Sequence, residues 1–173
     1  MSYQESQLES NLPETHQKFL RLMMGRRSEG HFSALNIDMV GCGVGWAEMS
    51  LAPTSQLIGD PMSGALHSGP ITTLLDSALG IAASVSLNRM GFAPTIDLRV
   101  DHLRMANSSD LLVARGEIVH LTRNILFAKG VVTQNDVQIA VAVGNFVRLS
   151  DDVLALAEAH IMSQLDAIDK ARQ

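Results

Sequence analysis

A chain of 173 residues is long enough to bury one substantial core, and that length favours a single domain over two. With 46% hydrophobic and 18% charged residues, its usage is that of an ordinary globular protein, which excludes a largely disordered or fibrous chain. A formal charge of -5 argues against a dedicated binder of phosphate backbones, whose affinity rests on clustered Lys and Arg.

The N-terminal stretch MSYQESQLESNLPETHQ is polar, with no apolar run behind a basic start, and the only cysteine, Cys42, cannot form an intramolecular disulfide. Both features fit a reducing cytoplasm. From about Gln17 to Arg27, QKFLRLMMGRR has apolar residues at helical spacing, with Gly30 beyond it as a stop, and predicts a short leading helix. Two β-type runs follow, roughly Ser33 to Met39 and Gly43 to Leu51, with Gly41 and Gly43 marking a turn between them. Cys42 lies in that turn with no His beside it and reads as a small apolar residue rather than a nucleophile. Between Ala52 and Leu66, Pro53, Gly59, Asp60-Pro61 and Gly64 mark an irregular loop of the kind that often carries function.

The segment Pro70 to Leu87, PITTLLDSALGIAASVSL, is too long for one strand and apolar or small nearly all round, so it predicts a helix buried on most faces. Gly80, Ala78, Ala82, Ala83 and Ser84 leave little bulk on it and invite close approach by neighbouring backbone. After Gly91 the pattern changes to period two in four runs, about Thr95 to Leu103, Leu111 to Leu121, Ile125 to Thr133 and Val137 to Leu149. The short connections between them favour an antiparallel meander. Ser150 to Arg172 mixes Leu154, Leu156, Ile161, Leu165 and Ile168 with charges and predicts a closing surface helix, capped by Ser150. No stretch reaches the about eighteen uninterrupted apolar residues of a membrane helix.

The fold class is therefore α+β: an antiparallel sheet of about six strands with a long small-residue helix inserted after the second. The chain divides into an N-terminal extension over 1–31, a main domain over 32–149 and a C-terminal helix over 150–173.

Chemistry concentrates in Gly64 to Gly80, GALHSGPITTLLDSALG. Gly69-Pro70 suits a helix entry, because Pro tolerates the first turn, and the backbone N–H groups near Ser68 and Gly69 would then lie at the positive end of the helix dipole. Such an end can polarise a carbonyl oxygen. Asp76 is the odd residue, a carboxylate among Leu74, Leu75, Ala78 and Leu79, where acids are rare without a partner. Solvent exposure or a bond to a neighbouring strand is the plainer account of it, as packing or a backbone bond is for His67. The nine positions between His67 and Asp76 preclude side-by-side placement on one helix face. Neither Ser68 nor Ser77 sits in a Gly-x-Ser-x-Gly elbow, and the six His residues show no metal-binding pair. No metal is expected.

These residues resemble a known family. Gly64-Ala65-Leu66-His67-Ser68-Gly69 followed by Leu74-Leu75-Asp76-Ser77-Ala78 is similar to the Gly-x-x-His-Gly-Gly...Asp signature of PaaI-like thioesterases, in the hotdog superfamily that includes 4-hydroxybenzoyl-CoA thioesterases. TIDLRVDHLR, Thr95 to Arg104, resembles the family's next strand, and the likeness extends over about Phe32 to Leu149. The resemblance implies a sheet wrapped around the central helix and hydrolysis of small or medium acyl-CoA thioesters, aliphatic or aryl, to free acid and CoA. It implies no cofactor, CoA being part of the substrate. It makes Asp76 the nucleophile or general base, the N–H of Ser68 or Gly69 the oxyanion donor with His67 in the same motif, and Thr95 a hydroxyl that helps place the water. It also implies that the acid acts across a homodimer interface against the partner's helix end, with a tetramer common.

Three departures stand out. The first glycine of the His-Gly-Gly motif is Ser68. The Asn usually found six residues before the His falls on Pro61, or on Asp60 with one residue inserted, and an ionised Asp60 cannot donate a hydrogen bond as Asn does. Asp60 then takes a catalytic part or holds the loop. The aromatic residue often found before Leu103 is His102. Arg104, Arg123 and Lys129 are the candidate contacts for CoA phosphates, against a role as solvated surface charges. Two rival functions share the fold: a hotdog protein that binds acyl-CoA without turnover, and a hotdog enoyl-CoA hydratase or dehydratase. With five Phe, one Trp and one Tyr, the composition leaves the acyl group open.

Overall fold

The computed structural model describes residues 12–17, 20, 30–89 and 91–171. The helix expected over Gln17 to Arg27 lies for the most part outside them. Residues 14–17 form a helical turn, with the Gln17 N–H donating to the Pro13 carbonyl at 3.1 Å. Leu12, His16 and Leu20 are all buried, at the spacing of one helix face.

His16 is the costly member of that stripe. Neither ring nitrogen has a hydrogen-bond partner among the described residues, and the ring lies against the backbone of Leu87 within reach of the Glu158 charge. Burial holds its pKa below the ordinary 6.5, outweighing the attraction of Glu158, so the neutral ring is the folded form. The stability carried by neutral His16 is then full above pH 6.5 and is lost as pH falls from there toward the lowered folded value. His16→Leu should raise stability by ~1–3 kcal/mol and flatten the decline in Tm between about pH 7.5 and 5.5. Thermal melts at the two pH values check both.

Gly30, at φ 88, is the first residue of a short helix, α1 (Gly30–Ala34). Strand β1 therefore begins at Ile37, later than the expected Ser33, because Asn36 at φ 55 makes a left-handed turn tied to the Ala52 carbonyl by its amide. β1 (Ile37–Gly43) pairs with β2 (Trp46–Leu51) as a hairpin. Its turn is at Val44-Gly45, with Gly45 at φ 84, and not at Gly41 and Gly43, which lie within β1 beside a bulge. Cys42 is fully buried in that strand. The expected irregular loop contains a 3-10 turn (Ser55–Leu57) and a small antiparallel pair, β3 (Ile58–Asp60) with β4 (Ala65–Leu66).

The long helix, α2, runs Ser68–Val85, two residues earlier at both ends than its apolar pattern predicts. Ile71, Leu74, Leu75, Ala78, Leu79, Ile81, Ala82, Ala83 and Val85 are buried, while Thr72, Thr73, Asp76, Ser77 and Gly80 form a half-buried stripe. The sheet that receives α2 also contains β5 (Thr95–His102), β6 (Leu112–Leu121), β7 (Ile125–Gln134) and β8 (Val137–Val147), in the order β1-β2-β6-β7-β8-β5, antiparallel throughout. β6 to β8 form the expected meander. β5 does not join it at β6 but crosses to pair with β8 at the far edge, leaving β6 to pair with β2. Met49, Leu51, Leu112, Ala114, Leu126, Val132 and Phe146 form the sheet side of the core. Each fully buried large aliphatic here contributes about 1.5–3 kcal/mol.

The helix backbone approaches the sheet closely at Gly116. A Cβ there would lie 2.9 Å from the Ala78 carbonyl carbon and oxygen and 3.0 Å from the Leu79 nitrogen, all backbone atoms that cannot rotate away. Gly116→Ala should therefore cost ~1–3 kcal/mol, read as a lower urea midpoint with an unchanged m-value. Helix α3 (Asp151–Ala171) closes the chain, with Asp151 and Asp152 at its dipole-positive start. It turns Leu154 and Ile161 inward, while Leu156 is 73% exposed, as befits the surface helix expected here. Among the described residues no helix is long and apolar enough to cross a membrane.

Candidate active site

The start of α2 is held from three sides. The His67 N–H donates to the Leu57 carbonyl at 2.9 Å, the Leu66 N–H to the Ala106 carbonyl at 2.9 Å, and Ala65 bridges to Asn107. His67 is the N-cap, in extended backbone (φ -64, ψ 144), and its Nδ1 accepts from the Gly69 N–H at 3.0 Å. A nitrogen that accepts carries no proton, so this bond assigns the ring proton to Nε2. The expected entry had Pro70 at the first helical position; it is the third, behind Ser68 and Gly69. The two candidate donors therefore differ. The Gly69 N–H is occupied by His67, whereas the Ser68 N–H has no partner among the described residues. It points from the positive end of an eighteen-residue helix.

Asp76 projects from the half-buried stripe of α2, and its Oδ1 accepts from the Thr95 hydroxyl at 2.9 Å. Oδ2 has no partner among the described residues, which leaves one carboxylate oxygen oriented and available. Eight residues separate Ser68 from Asp76, a rise of roughly 12 Å along one helix. Acid and donor of one chain are thus too far apart to act on one carbonyl group.

The other candidates fall elsewhere. Asp60 is exposed, and its carboxylate accepts from the Met62 N–H at 3.0 Å and from the Ser63 hydroxyl, while its carbonyl accepts from the Gly64 N–H. The Ser63 bond, then the Met62 bond, hold the Asp60 carboxyl below the usual range. Its visible work is to organise the turn before β4. His102 ends β5 opposite Ala140, exposed.

The three candidate CoA cations are not gathered together. Arg104 is exposed and donates to the Gln138 carbonyl at 2.9 Å, Arg123 sits in the β6–β7 turn at the opposite end of the strands, and Lys129 lies mid-strand on β7. Lys129 belongs to an ion-pair group on the sheet face away from α2. There it reaches Glu117 at 3.7 Å, and Arg115 reaches Glu117 at 3.0 Å and Glu48 at 3.5 Å while stacking on Trp46 at 4.5 Å. The Arg115 bond is the main reason the Glu117 carboxyl sits below its ordinary pKa. A shallow groove of about 520 Å³ over Val131, Val141 and Val143 adjoins these pairs, remote from Asp76. Nothing in the periodicity pointed to this cluster; acid-base alternation along β6 was its only trace. Among the described residues no three His, Cys, Asp or Glu side chains come together as a metal site.

Residues 63–141 match the family model described as thioesterase superfamily, a segment that includes the helix start, Asp76 and Thr95. No curated protein matches the chain. Among solved structures, a Pseudomonas aeruginosa protein is 29% identical over 78% of this chain and 99% of its own, with TM-score 0.66. The E. coli PaaI protein, from the phenylacetic acid degradation operon, is 19% identical over 79% of this chain and 96% of its own, with TM-score 0.67. A thioesterase of Haemophilus influenzae is 22% identical over 74% and 88%, with TM-score 0.66. At these identities the last two likenesses speak for the fold. Over the segment that carries the motif the chain is thus similar to the thioesterase superfamily, and it shares its fold with these solved structures.

Proposed function

We propose that the chain is an acyl-CoA thioesterase working as a homodimer, in which Asp76 of one subunit faces the start of α2 in the other. The observation that carries this reading is Asp76 itself. It is the one charged side chain on a helix of small and apolar residues, with one oxygen fixed by Thr95 and the other without a partner among the described residues, and it stands roughly 12 Å from its own helix start. A base and a donor that cannot meet within one chain can meet across a two-fold axis, where the same surface serves both subunits. The half-buried stripe of α2 and the free side of edge strand β5, with Ile96 52% exposed, supply a surface for that contact.

In this arrangement the thioester carbonyl oxygen lies against the Ser68 N–H, which stabilises the negative charge that develops as the carbon is attacked. Asp76 takes a proton from water held between it and Thr95, the hydroxide adds to the carbon, and the tetrahedral adduct collapses with CoA leaving as the thiolate. Direct attack by the carboxylate, followed by hydrolysis of the anhydride, gives the same products. Either Arg104 or Arg123, which lie at opposite ends of the strands in one chain, is the proposed phosphate contact, and Lys129 is paired with Glu117. Location in the cytoplasm belongs to this reading too. A thiol-release assay over aliphatic and aryl acyl-CoA esters tests it: release from at least one ester supports the proposal, and tight binding with no release from any sinks it. The proposed acyl range is small to medium chains and simple aryl groups.

A further inference from the structure

The outer face of β5 contains a device that the chemistry above does not use directly. From Asp97 to His102 the register with β8 is regular, beginning with Asp97 opposite Asn145 and Leu98 opposite Gly144. Continued without interruption, that register would set Ile96 opposite Phe146 and turn Thr95 to the outer face. Instead the register shifts between Thr95 and Asp97, and Thr95 itself lies opposite the fully buried Phe146. Ile96 is the extra residue of a β-bulge. Because strand side chains alternate, one inserted residue reverses the facing of everything beyond it. The bulge is thus what turns the Thr95 hydroxyl toward α2 and onto Asp76.

The bulge is pinned on both sides. Beyond it, the Val147 N–H donates to the Pro94 carbonyl at 2.8 Å. Before it, the Asn145 side-chain amide donates to both carboxylate oxygens of Asp97, at 2.9 Å each, across the first regular pair. Slipping β5 by one residue to absorb the bulge would carry Asp97 away from Asn145 and break that charge-assisted contact.

We infer that the Asn145–Asp97 pair is a register clamp whose work is to position Thr95, and through it the Asp76 carboxylate. Asn145 and Asp97 are positioning residues, on the sheet face opposite the reacting atoms. The inference rests on the thioesterase reading, since its readout is thiol release.

The test is a double-mutant cycle on purified full-length chain. Asn145→Ala should lower kcat about three- to ten-fold, the rate equivalent of one lost hydrogen bond, with KM little changed. Thr95→Val should lower it by a similar factor, and the pair together no further than Thr95→Val alone, because the clamp acts only through that hydroxyl. Asp97→Asn, which keeps a carbonyl acceptor for the Asn145 amide, should retain most of the rate that Asp97→Ala loses. The Asp97 pair gives an independent answer should Asn145→Ala fold poorly. Multiplying losses in the Asn145→Ala, Thr95→Val double variant, or equal rates for Asp97→Ala and the parent, would overturn the clamp. Undiminished release by Asp76→Asn would instead overturn the thioesterase reading beneath it, so the two failures are distinguishable.

Discussion

Asp76→Asn should lower kcat for thiol release by ~10²–10⁴, the range typical of removing a positioned general base. The substitution is nearly isosteric, and the amide can still accept from the Thr95 hydroxyl through its oxygen, so the local packing of α2 is kept. What disappears is the basicity of the oxygen that has no partner among the described residues. KM should change far less than kcat, because the acid acts on water in the transition state and contributes little to holding the ester. A fall of the same size in binding, with kcat unaltered, would mean that Asp76 holds the ligand and does no chemistry. Stability should stay level or rise slightly, since a half-buried carboxylate with a single hydrogen bond is replaced by a neutral group.

Ser68→Pro is the matching change at the other end of the helix, with an expected loss of ~10²–10³ in kcat, the usual cost of one oxyanion donor. Proline is well suited here. Ser68 is the first residue of α2, where a missing N–H leaves no intrahelical bond unmade. His67 already has the extended backbone that a residue before proline requires, at φ -64 and ψ 144. The cap bond from the Gly69 N–H to His67 Nδ1 survives, so the helix should start where it did. Ser68→Ala, which removes only the hydroxyl, should leave kcat within a few-fold of the parent. Comparing the two separates the backbone donor from the side chain, and circular dichroism verifies that the helix persists.

Much of this architecture was legible in the residues. The long helix shows in seventeen positions of small and apolar side chains that no strand could use, and Asp76 shows because a lone acid in such company must be accounted for. β6, β7 and β8 show through strict alternation and tight turns. The position of β5 does not: its alternation marks it as a strand, but its choice of β8 over β6 depends on where the chain emerges after α2. Periodicity carries no term for that. Single-residue features were hidden for the same reason. The bulge at Ile96 looks locally like uninterrupted strand, and only pairing with Phe146 and Asn145 shows which residue is extra. The left-handed turn at Asn36 was hidden because it goes with a side-chain bond to Ala52, sixteen residues away. Asp60 posed two readings, and its bonds to Met62 and Ser63 favour a loop-holding part, with the oxyanion donor left to the helix start.

The most direct examination of the account asks whether the two halves of the site come from different subunits. Purified Asp76→Asn and Ser68→Pro chains, each nearly inactive alone, are mixed under conditions that let dimers exchange. In a mixed dimer one site combines an intact Asp76 with an intact Ser68 N–H, and the other carries both defects. With random exchange, half the dimers are mixed and thiol release should recover to about a quarter of the parent rate. Recovery no higher than the average of the two variants, under conditions where subunit exchange is verified, would contradict a site shared between subunits.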